Sequence, residues 1–126
     1  MSDSLNNNAS GHDSLNSIRQ QLRTFAAERD WEQFHTPKNL AMALAGEVGE
    51  VLEHFQWLTA GQSQNLSPQV HAAVKLELAD VLMYLVRLAD VLEIDLHAAV
   101  QEKLQINEQR YPAALAHGRA EKYDQL

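Results

Sequence analysis

SPQVHAAVKLELADVLMYLVRLADV, residues 67–91, is the stretch whose reading decides the fold. Ser67-Pro68 is a start signal: a capping hydroxyl followed by proline at the first helical position, where a missing N–H costs nothing. Val70, Val74, Leu78, Val81, Leu82, Leu85, Val86 and Leu88 then recur at helical intervals and wrap most of the circumference. A helix apolar around most of its surface belongs inside a bundle.

The same reading extends outward in both directions. Leu15, Ile18, Leu22 and Phe25 set a first helix that fades near Glu28 to Trp31. Thr36-Pro37 repeats the start signal and opens a second helix, with Leu40, Leu44, Val48, Val51, Phe55 and Leu58 on one stripe, expected to stop before Gly61. Residues 60–66 read as a loop. Asp95 is the expected cap of a fourth helix carrying Leu96, Val100 and Leu104 and ending before Pro112. The tail from Ala113 is too weakly patterned to assign. No segment alternates at a strand period. The expectation is an all-α, four-helix bundle with short connections, one domain over residues 14–126 preceded by a disordered polar arm over 1–13, MSDSLNNNASGHD.

Composition bounds the function. A chain of 126 residues fits one domain, and 45% hydrophobic residues supply a core. Seventeen acidic against ten basic residues give a formal charge of −7, a poor basis for tracking a nucleic acid polymer. The absence of cysteine excludes disulfides, thiolate metal sites and cysteine nucleophiles. No apolar run approaches the ~18 residues of a membrane span, and Met1 to Asp13 has neither a basic start nor an apolar stretch. A cytoplasmic protein with no membrane partner is expected.

Within this frame an echo stands out. Glu47-Val48-Gly49-Glu50-Val51-Leu52 resembles Glu77-Leu78-Ala79-Asp80-Val81-Leu82. Residues three apart on a helix share a face, so Glu47 pairs with Glu50, and Glu77 with Asp80; like charges so placed repel. Neither Glu47 nor Glu77 has a basic residue three or four positions away, and Glu50 has only His54. Four acids without basic partners on the two most apolar helices suggest a cation between those helices. Oxygen donors favour a hard ion, Mg²⁺ or Mn²⁺, over zinc or copper. The plain alternative is four solvated surface acids. A di-iron bundle needs Glu-x-x-His on two helices, but Val51, Pro68 and Ile94 precede His54, His71 and His97 by three, so those histidines do not supply the signature.

Glu-x-x-Glu, then Glu-x-x-Asp after an interval over residues 51–76, resembles the signature of the all-α MazG-type nucleotide pyrophosphohydrolases. FAAERDWEQFH (Phe25 to His35), GEVGE (Gly46 to Glu50), FQW (Phe55 to Trp57) and the Asn-x-x-Arg-Tyr-Pro run (Asn107 to Pro112) are similar to the dCTP pyrophosphatase branch. The resemblance covers roughly residues 15–125. It implies Mg²⁺-dependent cleavage of a nucleoside triphosphate to monophosphate and pyrophosphate. It implies that Glu47, Glu50, Glu77 and Asp80 hold the metal and carry catalysis, and that the bundle assembles as a homodimer or homotetramer. It also implies Trp31, His35 and Trp57 near the base, and Tyr84, Lys103, Asn107 and Arg110 near sugar or phosphates. Animal members carry a histidine where this chain has Leu22, and a further acid where it has Leu76; the first departure bears on base preference.

Phosphate chemistry is consistent with that implication. Divalent ions let carboxylates meet phosphates and act as Lewis acids, so water can attack phosphorus without a covalent nucleophile. Lys103, Asn107 and Arg110 follow i, i+4, i+7 spacing on one helix face, equally the pattern of a solvated face. Tyr84 shares a face with Glu77 and Asp80. A non-catalytic nucleotide-binding or adaptor protein is the alternative function, and a plain oligomeric bundle with incidental acids is a third.

Overall fold

Thr36 and Ser67 do what their positions announce: each side chain accepts from the backbone N–H three residues on, Asn39 at 3.2 Å and Val70 at 3.2 Å. They open α2 (Pro37–Glu53) and α4 (Pro68–Val91), both with proline in the first turn. The structure, a computed structural model, describes residues 3–126, and their side chains from Ser14 onward. The polar arm expected over 1–13 lies outside the residues whose side chains are described. α1 is Asp3–Glu28, and among the described residues no strand occurs. The chain divides into two compact units, Met1–Glu93 and Ile94–Leu126.

In the first unit α4 is the central element, with α2 packed along it and α1 also against it. Ala26, Leu40, Val74, Val86 and Ala89 are its buried apolar residues. α1 closes on Asp30, a non-glycine residue at φ 53°. The Trp31 N–H returns to Ala26 O at 2.9 Å, the wrap-back bond of a helix C-terminus ended by a left-handed residue. Aspartate tolerates that conformation better than most residues. A single 3₁₀ turn at Glu32–Phe34 then leads to the Thr36 cap.

One expectation fails between α2 and α4. The second helix, expected to carry Leu58 and stop before Gly61, ends already at Glu53. Beyond it the chain continues in turns: Phe55 N–H (2.9 Å) and Gln56 N–H (2.8 Å) both donate to Leu52 O, and Leu58 N–H donates to Phe55 O (2.9 Å). Thr59 then adopts extended backbone and caps a one-turn α3, Ala60–Ser63. Its hydroxyl accepts from Gln62 N–H (3.1 Å) while Gln62 Oε1 accepts from Thr59 N–H (3.0 Å), a reciprocal capping box. That local bonding competes with helix continuation, takes Leu58 off the stripe, and places Gly61 within a helical turn. The stretch read as a loop over 60–66 therefore begins with that turn. Thr-x-x-Gln is its sequence signal.

The second unit is α5 (Leu96–Arg110), the one-turn α6 (Ala113–Ala116) and a 3₁₀ turn at Tyr123–Gln125. Asp95 caps α5 by accepting from Ala98 N–H at 3.1 Å, and the helix ends two residues before Pro112, as its spacing predicts. Tyr111 and Tyr123 meet edge to face at 6.1 Å, and the Arg110 guanidinium lies 4.9 Å from the Tyr123 ring centre.

Candidate active site

Two short acid pairs become one cluster when α2 packs on α4. Each of Glu47, Glu50, Glu77 and Asp80 brings a carboxylate oxygen within 4.8 Å of the others. Glu50 is exposed and the other three half-buried. Glu47 Oε2 and Glu77 Oε2 are buried with no hydrogen-bond partner. Burial, then the charges of Glu50 and Asp80, push the Glu47 carboxyl above its ordinary value. Glu77 rises through the neighbouring Glu50 carboxyl, then burial, then the charges around it. No basic side chain forms an ion pair with any of the four among the described residues. Four converging oxygen ligands with two orphaned buried oxygens fit a hard divalent cation, which would supply the missing positive charge.

Beside the acids is a cavity of about 170 Å³ lined by Leu22, Phe25 and Ala26 of α1, Trp31 and His35 of the following turn, Glu47 of α2, and Asp80, Met83, Tyr84 and Arg87 of α4. That volume is below the ~300–1,000 Å³ of pockets that take whole drug-sized ligands. Its wall is aromatic: Phe25 and Trp31 meet edge to face at 5.7 Å, and Trp31 and His35 at 6.4 Å. Arg29 covers the Phe25 ring at 3.5 Å.

The structure thus brings Trp31, His35 and Tyr84 together with Glu47 and Asp80. Trp57 is 87% exposed and outside this lining. Lys103, Asn107 and Arg110 all lie on α5, in the second unit.

Sequence reasoning missed Arg87. Its signal is present, because Glu77, Asp80, Tyr84 and Arg87 continue one face of α4 at steps of three and four. Arg87 Nε donates to His35 Nδ1 at 3.1 Å, and its Nη1 lies 3.5 Å from Asp90. Asp90, with a side chain 6% exposed, accepts two hydrogen bonds of 2.6 Å from Arg23 of α1. That bidentate contact holds the Asp90 carboxyl below its ordinary value, against the opposing effect of burial. Burial, then the charge of Arg87, lowers His35, against an upward pull from Glu32. Leu22, where the resemblance leads to a histidine, is in the cavity lining and makes that part of the wall apolar.

The chain is similar to known proteins. A model of the MazG-like family matches residues 43–126. Human dCTP pyrophosphatase 1 is 54% identical over 114 residues, covering 89% of this chain and 67% of that protein. The bovine protein of the same name is 49% identical over 119 residues, covering 93% of this chain and 70% of its own length. The crystal structure of a pyrophosphatase from Archaeoglobus fulgidus aligns with a TM-score of 0.75 at 40% identity, over 79% of this chain and 93% of that one. By sequence and by fold, the chain belongs to the MazG-like family.

Proposed function

We propose that the protein hydrolyses (deoxy)nucleoside triphosphates, dCTP-like substrates first, to the monophosphate and pyrophosphate. Water adds across the anhydride between the α and β phosphates, and pyrophosphate leaves. The observation that carries this reading is the convergence of four carboxylates, two with orphaned buried oxygens, beside an aromatic cavity. Glu47, Glu50, Glu77 and Asp80 would hold Mg²⁺, with Mn²⁺ as an alternative. The bound cation supplies charge neutralisation and Lewis acidity toward the phosphates.

The chain's own residues do the rest. Trp31 offers an aromatic face for a base, and base stacking contributes roughly 1–3 kcal/mol. Tyr84, on the same face as Glu77 and Asp80 and in the cavity lining, is available for contact with sugar or phosphate. Trp57 serves the base, and Lys103, Asn107 and Arg110 serve the phosphates, on the strength of the family resemblance. The names of the mammalian relatives support dCTP as substrate.

Assembly as a homodimer or homotetramer belongs to the same proposal. Met42 of α2 and Leu76 of α4 are each 64% exposed, and Leu52, Leu78 and Leu82 of the same helices are exposed as well. Exposed apolar surface on the most apolar helices is the mark of an interface. No helix among the described residues is long and apolar enough to cross a membrane, and a cytoplasmic enzyme that clears unwanted nucleotides fits the family resemblance.

The test is a panel of nucleoside triphosphates with Mg²⁺ and measured pyrophosphate release. Release, greatest with dCTP-like substrates, is the expected result. No release with any of them would leave the non-catalytic nucleotide-binding alternative in its place.

A further inference from the structure

Arg87 is a guanidinium in the wall of a cavity whose other charged lining residues are acids. Its side chain is only 12% exposed and is bonded on both sides, to His35 and to Asp90. Arginine has no acceptor and does not lose its proton in proteins. The 3.1 Å contact from Arg87 Nε therefore requires a lone pair on His35 Nδ1. A neutral imidazole with Nδ1 accepting carries its proton on Nε2. His35 can then only donate from its other nitrogen. Asp90 restrains the arginine, and the two 2.6 Å bonds from Arg23 restrain Asp90, so a chain from α1 through α4 ends on the ring of His35.

We propose that Arg87 is a positioning residue for base recognition: it fixes His35 as a hydrogen-bond donor in the cavity wall beside Trp31, for a base that presents an acceptor there, as cytosine does through O2 or N3. This rests on the hydrolase reading given above and goes further by naming how the base is read. An apolar Leu22 in the same wall leaves His35 as the imidazole of the cavity lining.

Two measurements test it. In the unaltered protein, long-range proton–nitrogen correlation on the histidine rings should show neutral His35 protonated at Nε2, with that resonance moving when dCMP is added. Protonation at Nδ1, or no movement with dCMP at saturation, would overturn the proposal. Calorimetry with dCMP supplies the second measurement. Arg87→Met should weaken binding on the order of tenfold, the loss expected for one hydrogen bond to a polar ligand group. His35→Phe should weaken it similarly. The double variant should be no weaker than His35→Phe alone, because residues acting through one contact are not additive. In turnover, Arg87→Met should raise KM and leave kcat in place. Additive losses in the double variant, wild-type affinity in Arg87→Met, or a fall in kcat matching the rise in KM would each overturn it. The unaltered protein's pyrophosphate release separates the two claims: turnover with these results absent rejects only the role of Arg87, whereas no turnover on any triphosphate rejects the hydrolase reading itself.

Discussion

Glu47 on α2 and Glu77 on α4 bring carboxylate oxygens within 4.8 Å of each other, and each keeps a buried Oε2 with no hydrogen-bond partner. Two helices held together by their apolar faces thus force acids into mutual repulsion. The packing energy of the helices offsets a local destabilisation, and a bound cation would remove it.

Glu50→Gln and Asp80→Asn follow directly. Each keeps shape and removes one negative charge from the cluster. Activity should fall at least about 10²-fold, because a hard cation loses an anionic ligand and the transition state loses charge stabilisation. The melting temperature in metal-free buffer should hold or rise, since repulsion is relieved. Near-normal turnover of both variants, at low and at saturating Mg²⁺, would remove the cluster from the mechanism.

The pH dependence of metal-free stability should show two opposed limbs. Glu47 and Glu77 titrate above the ordinary carboxylate value in the folded state, so the folded state binds protons more readily than the unfolded one. Their effect is to make the protein more stable as pH falls from neutral toward those raised values, and less stable as pH rises through them. Asp90 runs the other way. Its folded value is depressed, so its stabilisation is present above the ordinary aspartate value and is lost as pH falls through the depressed one. Thermal melts from pH 7 downward should therefore rise and then fall. Saturating Mg²⁺ should flatten the rise and leave the acid limb.

Asp90→Ala removes the carboxylate that accepts from Arg23 and forms an ion pair with Arg87. A hydrogen-bonded charge lost from a nearly enclosed site costs about 1–3 kcal/mol, reduced here by the solvent reaching Arg23, whose side chain is 47% exposed. Denaturant melts should show that loss. An unchanged midpoint would mean that the network contributes nothing net.

Trp31→Ala and Trp57→Ala should separate cleanly. Trp31 packs against Phe25 and His35 in the cavity, so its loss should lower stability and raise KM, by roughly 1–3 kcal/mol of binding if a base stacks there. Trp57 is nearly free of its own chain, so Trp57→Ala should leave the isolated subunit's stability unchanged. Any effect of it on KM would place a second copy's surface, or the substrate, over that ring.

Met42→Glu and Leu76→Glu place charges on exposed apolar positions of α2 and α4. Light scattering behind a sizing column should give an oligomer for the unaltered chain and smaller species for these variants. A monomer of the unaltered chain at micromolar concentration would refute the assembly.

How much of this was legible depended on range. The caps at Thr36, Ser67 and Asp95, the stop before Pro112 and the shared faces of Glu47 with Glu50 and Glu77 with Asp80 are set within four residues along the chain. Helical periodicity and local hydrogen bonding fix such features wherever the helix sits, so the sequence by itself determined them. The turn opened at Thr59 was also local, carried by the Thr59–Gln62 box, but an uninterrupted apolar stripe masked it. What only the tertiary structure decided is which distant groups meet. Arg23 reaches Asp90, Arg87 reaches His35, and Leu22 enters the cavity lining because α1 and the turn after Asp30 pack on α4. Those contacts depend on how side chains of separate helices interdigitate, and no local period along one chain encodes that.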